Sequence, residues 1–497
     1  MQITMVANRS KTKMFDGVFK GMAVFKQELS QAIASFRVAI VADNKEITYK
    51  ELIQNSRNLA AFWKNKGIKC GDRIAVKLPN SIEFIECYFA CIIGGYTIVP
   101  LNSDLSQRNL NYILQLVQPS KFIDNLDEIQ YEDTSDSENH EFTLNNNRIA
   151  AIFFTSGTTS FPKAVCHGLE NMLANAFQFN RLVGLNKNTR MMHVMPMGYM
   201  AGFLNTVLSP LIAGGTVIIA PQFNAKEAIN FWQPAIKSSA NAIWLTPTMA
   251  ALLARLSRGD RIPQWTKDNL RHVFVGTAPL PRVTKDNFEE TFGVSLLESY
   301  GMTEILIVAS NILRYPQKQG SVGNLVEGVK VEVRDRAGDV LPHGEIGSLY
   351  IKTPFALQGY LQPETGKINS PMSEGWFDTG DYGYLDEDEY LFITGRQKDL
   401  IIHGGMNVSP TSVENLLMEH PDVREAAVIG KPHSFWGEEV VAFVEMEADK
   451  SFIRESLDEH CKSNLEFDAV PTTYKVVDEF PRSSTGKIQK YVLKKML

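Results

Sequence analysis

Residues Thr155-Ser156-Gly157-Thr158-Thr159-Ser160-Phe161-Pro162-Lys163 crowd hydroxyl side chains, a glycine and a lysine into one short stretch. Such a loop offers backbone N–H and side-chain O–H donors, and its lysine adds positive charge, which suits a phosphate. It is not the GTPase-type phosphate loop, which needs a glycine before the lysine and Ser or Thr after it, because Pro162 and Ala164 stand there. Taken alone, these residues also fit a plain polar surface loop. The run 149–155 before them is short and apolar and predicts a buried strand, while Leu169, Met172, Leu173 and Ala176 predict a helix after them. The spacing therefore places the loop between a strand and a helix.

Further segments follow in order: Gly276-Thr277-Ala278-Pro279-Leu280, Ser299-Tyr300-Gly301-Met302-Thr303-Glu304, Asp378-Thr379-Gly380-Asp381, Gly395-Arg396-Gln397-Lys398-Asp399 and Pro481-Arg482-Ser483-Ser484-Thr485-Gly486-Lys487. Together with the loop they resemble the adenylate-forming superfamily: acyl-CoA synthetases, the adenylation domains of peptide synthetases, and beetle luciferase. The resemblance covers nearly the whole chain. It implies an α/β fold with a large N-terminal AMP-binding domain (1–398) of α/β subdomains plus a β-rich subdomain. A small mobile α/β C-terminal domain (399–497) completes it. It also implies a two-step, AMP-forming ligase. A carboxylate attacks the α-phosphate of ATP, giving acyl-adenylate and pyrophosphate, and a thiol then takes the acyl group. Free CoA is the default acceptor, with Mg2+ as the metal. A separate acyl or peptidyl carrier protein is the alternative acceptor, with a stand-alone amino-acid adenylating enzyme in that class. A non-catalytic nucleotide binder is the remaining alternative, but it is expected to have lost Lys487 or Glu304, and both are present.

The resemblance implies roles residue by residue. Thr155, Ser156, Gly157, Thr158, Thr159 and Lys163 would close over the β- and γ-phosphates. Thr303 would hydrogen-bond the α-phosphate, and Glu304 would hold Mg2+, a hard cation matched to carboxylate oxygen. Tyr300, followed by Gly301, would stack on adenine, with Thr277 and Ala278 lining the other side. Asp381 would accept from the ribose hydroxyls, assisted by Arg396. Lys487 would bridge the carboxylate and the phosphate, Asp399 would be the hinge, and Gly404-Gly405 would admit a thin pantetheine arm. Tyr199, Gly202 and Trp244 mark the acyl pocket. Some positions depart from the family pattern: Ser160 and Ala164 replace glycines, and Tyr199 replaces a usual histidine. Gly198 is small where a bulky aromatic is common, which predicts extra room. No aspartate lies in 196–221 to pair with an amino group. The expected substrate is therefore an aliphatic or aryl acid in an apolar pocket, as in fatty-acid metabolism, rather than an α-amino acid.

The elements that must position these residues alternate in period. Apolar runs at 96–99, 216–220, 242–245 and 272–275 read as strands and alternate with helical patterns, an α/β arrangement. After about residue 325 the chain becomes β-rich, with strands at 329–334, 347–351 and 390–394, and a compact unit follows Asp399. The chain has 497 residues, with 50 basic and 56 acidic side chains giving a net charge of −6, which argues against a general nucleic-acid or membrane-surface binder. Its five cysteines form no CxxC pair and read as core residues of a reduced compartment. The histidines show no metal-binding spacing. The apolar stretches 82–101 and 203–221 are broken by Glu83 and Glu86, and by Asn205, Pro210 and Gly214-Gly215, so neither reads as a membrane span. With no signal-peptide core at the N-terminus, a cytoplasmic protein is expected. The acidic stretch 124–141 reads as a surface loop.

Overall fold

The computed structural model describes residues 21–132, 148–155, 161–224, 226–363, 365–404, 406–482 and 487–497. Helices form where one face is apolar and a capping group closes the end. Ile82–Gly94 starts after Ser81, whose hydroxyl accepts from the Phe84 N–H, and stops at Gly95 in the left-handed region. Leu169–Val183 stops the same way at Gly184.

Among the described residues the strands form sheets of thirteen, seven and five members. The largest sheet has two characters. Val38–Ala42, Thr216–Ile219, Arg190–His193, Ala242–Leu245, His272–Val275 and Leu296–Met302 pair in parallel. Thr216–Ile219 and Ala242–Leu245 are buried at every residue, as strands covered on both faces must be. From Leu296–Met302 onward the pairing turns antiparallel, through Leu306–Ser310, Ser321–Leu325, Tyr390–Arg396, Phe377–Leu385, Gly347–Lys352 and Lys330–Arg334. Leu296–Met302 belongs to both parts, and its ladder with Leu306–Ser310 shifts register at Tyr300/Gly301. A Cβ at Gly301 would lie 2.4 Å from the Leu306 carbonyl oxygen, so only glycine admits this approach.

In the seven-stranded sheet, Ile149–Thr155 pairs in parallel with Thr97–Pro100 and antiparallel with Lys163–Gly168. This corrects the expected order of strand, loop and helix. The hydroxyl-rich loop joins the strands of a β-hairpin, and a whole strand separates it from the helix Leu169–Val183. The physical reason is burial. Ala164, Val165, Cys166, His167 and Gly168 are all buried, and pairing with Ile149–Thr155 on one side and Gly359–Leu361 on the other satisfies their backbone groups. That helix therefore lends no N-terminus to the loop.

The C-terminal sheet is buried on both faces. Val440, Ala442 and Val444 pack with Ile401, Val413, Leu417 and Leu457, whereas Val441 and Phe443 pack with Ala427, Ile429, Phe480 and Leu493. The period-2 alternation thus builds a core of its own for this smaller domain. The short turn Gln397–Asp399 leads into it from Tyr390–Arg396. Ser409 Oγ donates to the Thr394 carbonyl at 2.7 Å, and Arg255 meets Glu447 at 3.2 Å, across the two domains. One cysteine departs from the expected core role: Cys70 is exposed on the turn before Arg73–Val76, while Cys87, Cys91, Cys166 and Cys461 are buried. Among the described residues no helix is long and apolar enough to cross a membrane.

Candidate active site

Sheet register assembles the centre of the site. Asp381 and Arg396 are cross-strand partners on Phe377–Leu385 and Tyr390–Arg396. Arg396 Nε lies 2.9 Å from Asp381 Oδ1, and the Tyr300 hydroxyl donates to Asp381 Oδ2 at 2.5 Å. Burial raises the Asp381 carboxyl pKa, opposed by Arg396 and by the Tyr300 hydrogen bond. Burial and the Asp381 carboxylate drive the Tyr300 hydroxyl well above the ordinary tyrosine value, so it stays a donor.

Thr303 and Glu304 are buried in the turn that follows Tyr300. Three groups hold this turn. His167 Nε2 donates to the Thr303 carbonyl at 2.6 Å. The Leu357 N–H donates to the Glu304 carbonyl at 2.7 Å, and the Tyr360 hydroxyl donates to Glu304 Oε1 at 3.0 Å. Burial pushes the His167 pKa down to about 4, so the ring is neutral, and its Nδ1 has no partner among the described residues. The Lys163 ammonium sits 5.2 Å from the centre of the Tyr360 ring, a cation–π contact that ties the end of the hydroxyl-rich loop to the Glu304 carboxylate. Thr155 pairs with Lys163 at the loop end of the hairpin. Ser156, Gly157, Thr158, Thr159 and Ser160 lie outside the described residues.

Positive charge converges here. Lys487 remains exposed as a residue, yet the protein crowding its ammonium, aided by Arg396 and Lys398 and opposed by Asp381, holds its pKa down at about 8. Lys398 is also lowered, first by burial of its ammonium and then by Arg396 and Lys163. Lys163, Arg396, Lys398 and Lys487 thus share one neighbourhood with Asp381. Thr277 and Ala278 follow the C-terminal end of the parallel strand His272–Val275, where open α/β sheets place their ligands. Thr277 has φ 74°, a left-handed conformation rare for a β-branched residue.

On the acid side, Tyr199 is half-buried at the start of Met200–Phe203. Burial and the Glu304 carboxylate both raise its pKa, which puts Tyr199 and Glu304 within electrostatic reach of one another. Gly202 packs against Pro196, where a Cβ would fall 2.0 Å from the carbonyl oxygen. The room expected beside Gly198 is absent: a Cβ there would lie 2.3 Å from the Leu101 carbonyl carbon, because the backbone at Leu101–Asn102 already fills that space. Trp244 is buried in Ala242–Leu245, and the Thr246 hydroxyl is engaged in capping the helix Pro247–Leu256. Asp399 ends the turn Gln397–Asp399; the Gly404 N–H donates to the Trp436 carbonyl at 2.9 Å, and Gly405 lies outside the described residues.

Two residues of this network escaped the sequence reading: His167 and Tyr360. The available signal for His167 was a histidine inside an otherwise apolar run, and for Tyr360 an aromatic next to the short strand's glycine, both unremarkable by residue type alone.

Comparison with known proteins gives a consistent result. The family described as AMP-binding enzyme matches residues 32–361, and its C-terminal domain family matches residues 412–487. A 2-succinylbenzoate–CoA ligase of Bacillus licheniformis is 29% identical over 92% of this chain and 96% of its own. An oxalate–CoA ligase of Arabidopsis thaliana is 32% identical over 88% of this chain and 90% of its own. The crystal structure of ATP-bound MatB from Rhodopseudomonas palustris superposes with a TM-score of 0.86 at 27% identity, covering 95% of this chain and 98% of that one. Motifs in order, a large and a small α/β domain, and these likenesses agree: the chain belongs to the AMP-binding enzyme family, the adenylate-forming superfamily, among its acyl-CoA synthetase-like members.

Proposed function

We propose that this chain is an ATP-dependent acid–thiol ligase that activates a carboxylic acid as acyl-AMP, releases pyrophosphate and passes the acyl group to CoA. The observation that carries the reading is the convergence of Lys163, Arg396, Lys398 and Lys487 on one neighbourhood beside the Tyr300–Asp381 pair. Both partners of the first step are anions, so the site must supply fixed positive charge and donors where charge gathers on the α-phosphate. The relatives reported above are CoA ligases, which favours CoA over a separate carrier protein.

In the first step a carboxylate oxygen bonds to the α-phosphorus while the bond to pyrophosphate breaks. Asp381 accepts from the ribose hydroxyls, with its orientation fixed by Tyr300 and Arg396. Tyr300 and the Thr277–Ala278 backbone flank the adenine, and Lys163 with its loop faces the terminal phosphates. Thr303 donates to the α-phosphate. Lys487 spans the incoming carboxylate and that phosphate, and its long stem and point charge suit the bridge. Glu304 suits Mg2+: it is a single buried carboxylate with Tyr360 on one oxygen, and no cluster of three or more metal-ligating side chains occurs among the described residues. That donor set matches an ion held mainly by phosphates and water. When bound, the ion neutralises phosphate charge. In the second step a thiol sulfur attacks the acyl carbon and AMP leaves.

We place the domain division at 398/399, with Asp399 as the hinge and the Gly404 side of the small domain serving thiol transfer. The test is ATP–pyrophosphate exchange over a broad panel of carboxylic acids, followed by mass detection of the CoA thioester. Acid-dependent exchange and thioester are expected; no exchange with any acid would falsify the reading.

A further inference from the structure

The wall that the family motifs assign to the acid carries no charge. Between 196 and 210, 242 and 247, 273 and 279, and 305 and 310 there is no Asp, Glu, Lys or Arg. Neither is it simply apolar. Trp244 Nε1, Asn205 Oδ1 and Thr277 Oγ1 are buried and have no hydrogen-bond partner among the described residues. Trp244 is only 2% exposed and Asn205 only 5%.

These atoms are held, not loose. The Trp244 ring packs against Phe179 and Phe274, with centroids 5.7 and 4.9 Å away. Its Nε1 faces Gly276, where a Cβ would lie 3.5 Å from it. Thr277 comes next in the chain, in its left-handed conformation. Asn205 sits in the π-helical turn Leu204–Leu208, which packs against the Trp244 strand. Such turns recur at functional sites, and buried orphan donors and acceptors in a folded protein call for a partner.

We propose that Trp244, Asn205 and Thr277 receive a second, uncharged hydrogen-bonding group on the acid, so that the substrate class is carboxylic acids bearing a hydroxyl, oxo, ether or amide function. This inference rests on the ligase reading above. It replaces the apolar acid expected from sequence. An alkyl tail would seal the wall from water and leave the indole N–H without an acceptor. A second carboxylate would be buried with no cation to meet it. A neutral polar group avoids both costs, and a site built to bond such a group strongly rejects analogues that lack it.

The experiment uses the full chain with ATP and matched sets of acids of equal length: alkyl, hydroxy, oxo and dicarboxylic. Pyrophosphate exchange is read as kcat/KM. A hydroxy or oxo member is expected to exceed its alkyl and dicarboxylic counterparts by about tenfold or more. Trp244→Phe keeps a ring and removes the N–H; it should cut the ratio of polar to alkyl acid by about tenfold. Preference for the alkyl acid or the diacid overturns the inference while leaving the ligase standing. So does an unchanged ratio in a folded Trp244→Phe protein. The wild-type comparison decides alone if that variant does not fold. Absence of exchange from every set overturns the ligase reading itself, and the inference with it.

Discussion

Lys487 shows how one side chain ties charge to chemistry. Crowding and neighbouring cations hold its pKa at about 8, so its charged form is lost on the alkaline side. A neutral amine cannot bridge two anions. We therefore expect kcat/KM for adenylate formation to fall above about pH 8, approaching tenfold per unit. Lys487→Arg should move that limb upward, because a guanidinium stays charged. An alkaline limb at the same pH in both proteins would assign it to another group. Lys487→Ala should slow adenylation by roughly a hundredfold or more, while transfer from preformed acyl-adenylate changes by less than about threefold. Single-turnover assays of each half-reaction separate the two, and equal losses would contradict a role confined to the first step. Each family motif was readable because its chemistry is written in residue type: a lysine, a Thr-Glu pair, an aspartate. The orphan indole nitrogen of Trp244 was not, because a tryptophan in a strand reads as core until its N–H is seen without a partner.

At the level of elements, Lys163–Gly168 joins two tasks. It carries Lys163 beside Tyr360 at one end and His167 beneath the Thr303 carbonyl towards the other. His167→Leu removes that donor at similar bulk, and His167→Gln can restore an N–H. We expect the leucine variant to lose about tenfold or more in the kcat of adenylation, with the KM for ATP within about threefold, and the glutamine variant to recover much of the loss. Equal kcat in all three proteins would reduce His167 to packing. The sequence made the parallel strands Ala242–Leu245 and His272–Val275 legible because strands covered on both faces are continuous apolar runs. It hid Lys163–Gly168, whose buried run is short and interrupted by a histidine. Phe377–Leu385 was hidden for a different reason. Its Asp378-Thr379-Gly380-Asp381 segment has turn composition, and Asp378 does accept from the Gly380 N–H, yet the strand continues through it. The backbone behind Gly198 could not be foreseen at all, since Leu101 and Asn102 are distant in the chain.

For the whole molecule, the proposed hinge makes the sharpest claim. Asp399→Pro fixes φ at the turn between the domains. Adenylation is expected to survive and thioester formation to fall; two unimpaired half-reactions would move the hinge elsewhere. Acid stability tests the core. Burial holds His167 at about 4 and His193 at about 3, below the ordinary 6.5 for histidine. Between those values the unfolded chain takes up protons that the folded chain refuses, so stability is lost as pH falls from about 6.5 towards 4. The loss should be on the order of a few kcal/mol, and His193→Asn should blunt it in urea titrations run across that range. A slope unchanged by that substitution would exclude His193 as a source. Finally, the chain as a whole is anionic, at −6, but four of its cations, Lys163, Arg396, Lys398 and Lys487, gather at the site. A nucleotide approaching from solution meets a chain of net negative charge yet is drawn to that local group of cations, so the fold acts on the capture rate as well as on the bound complex. Fields of this kind fade beyond about 8 Å at physiological ionic strength. The association rate of ATP should therefore drop as salt is added while its dissociation rate changes far less.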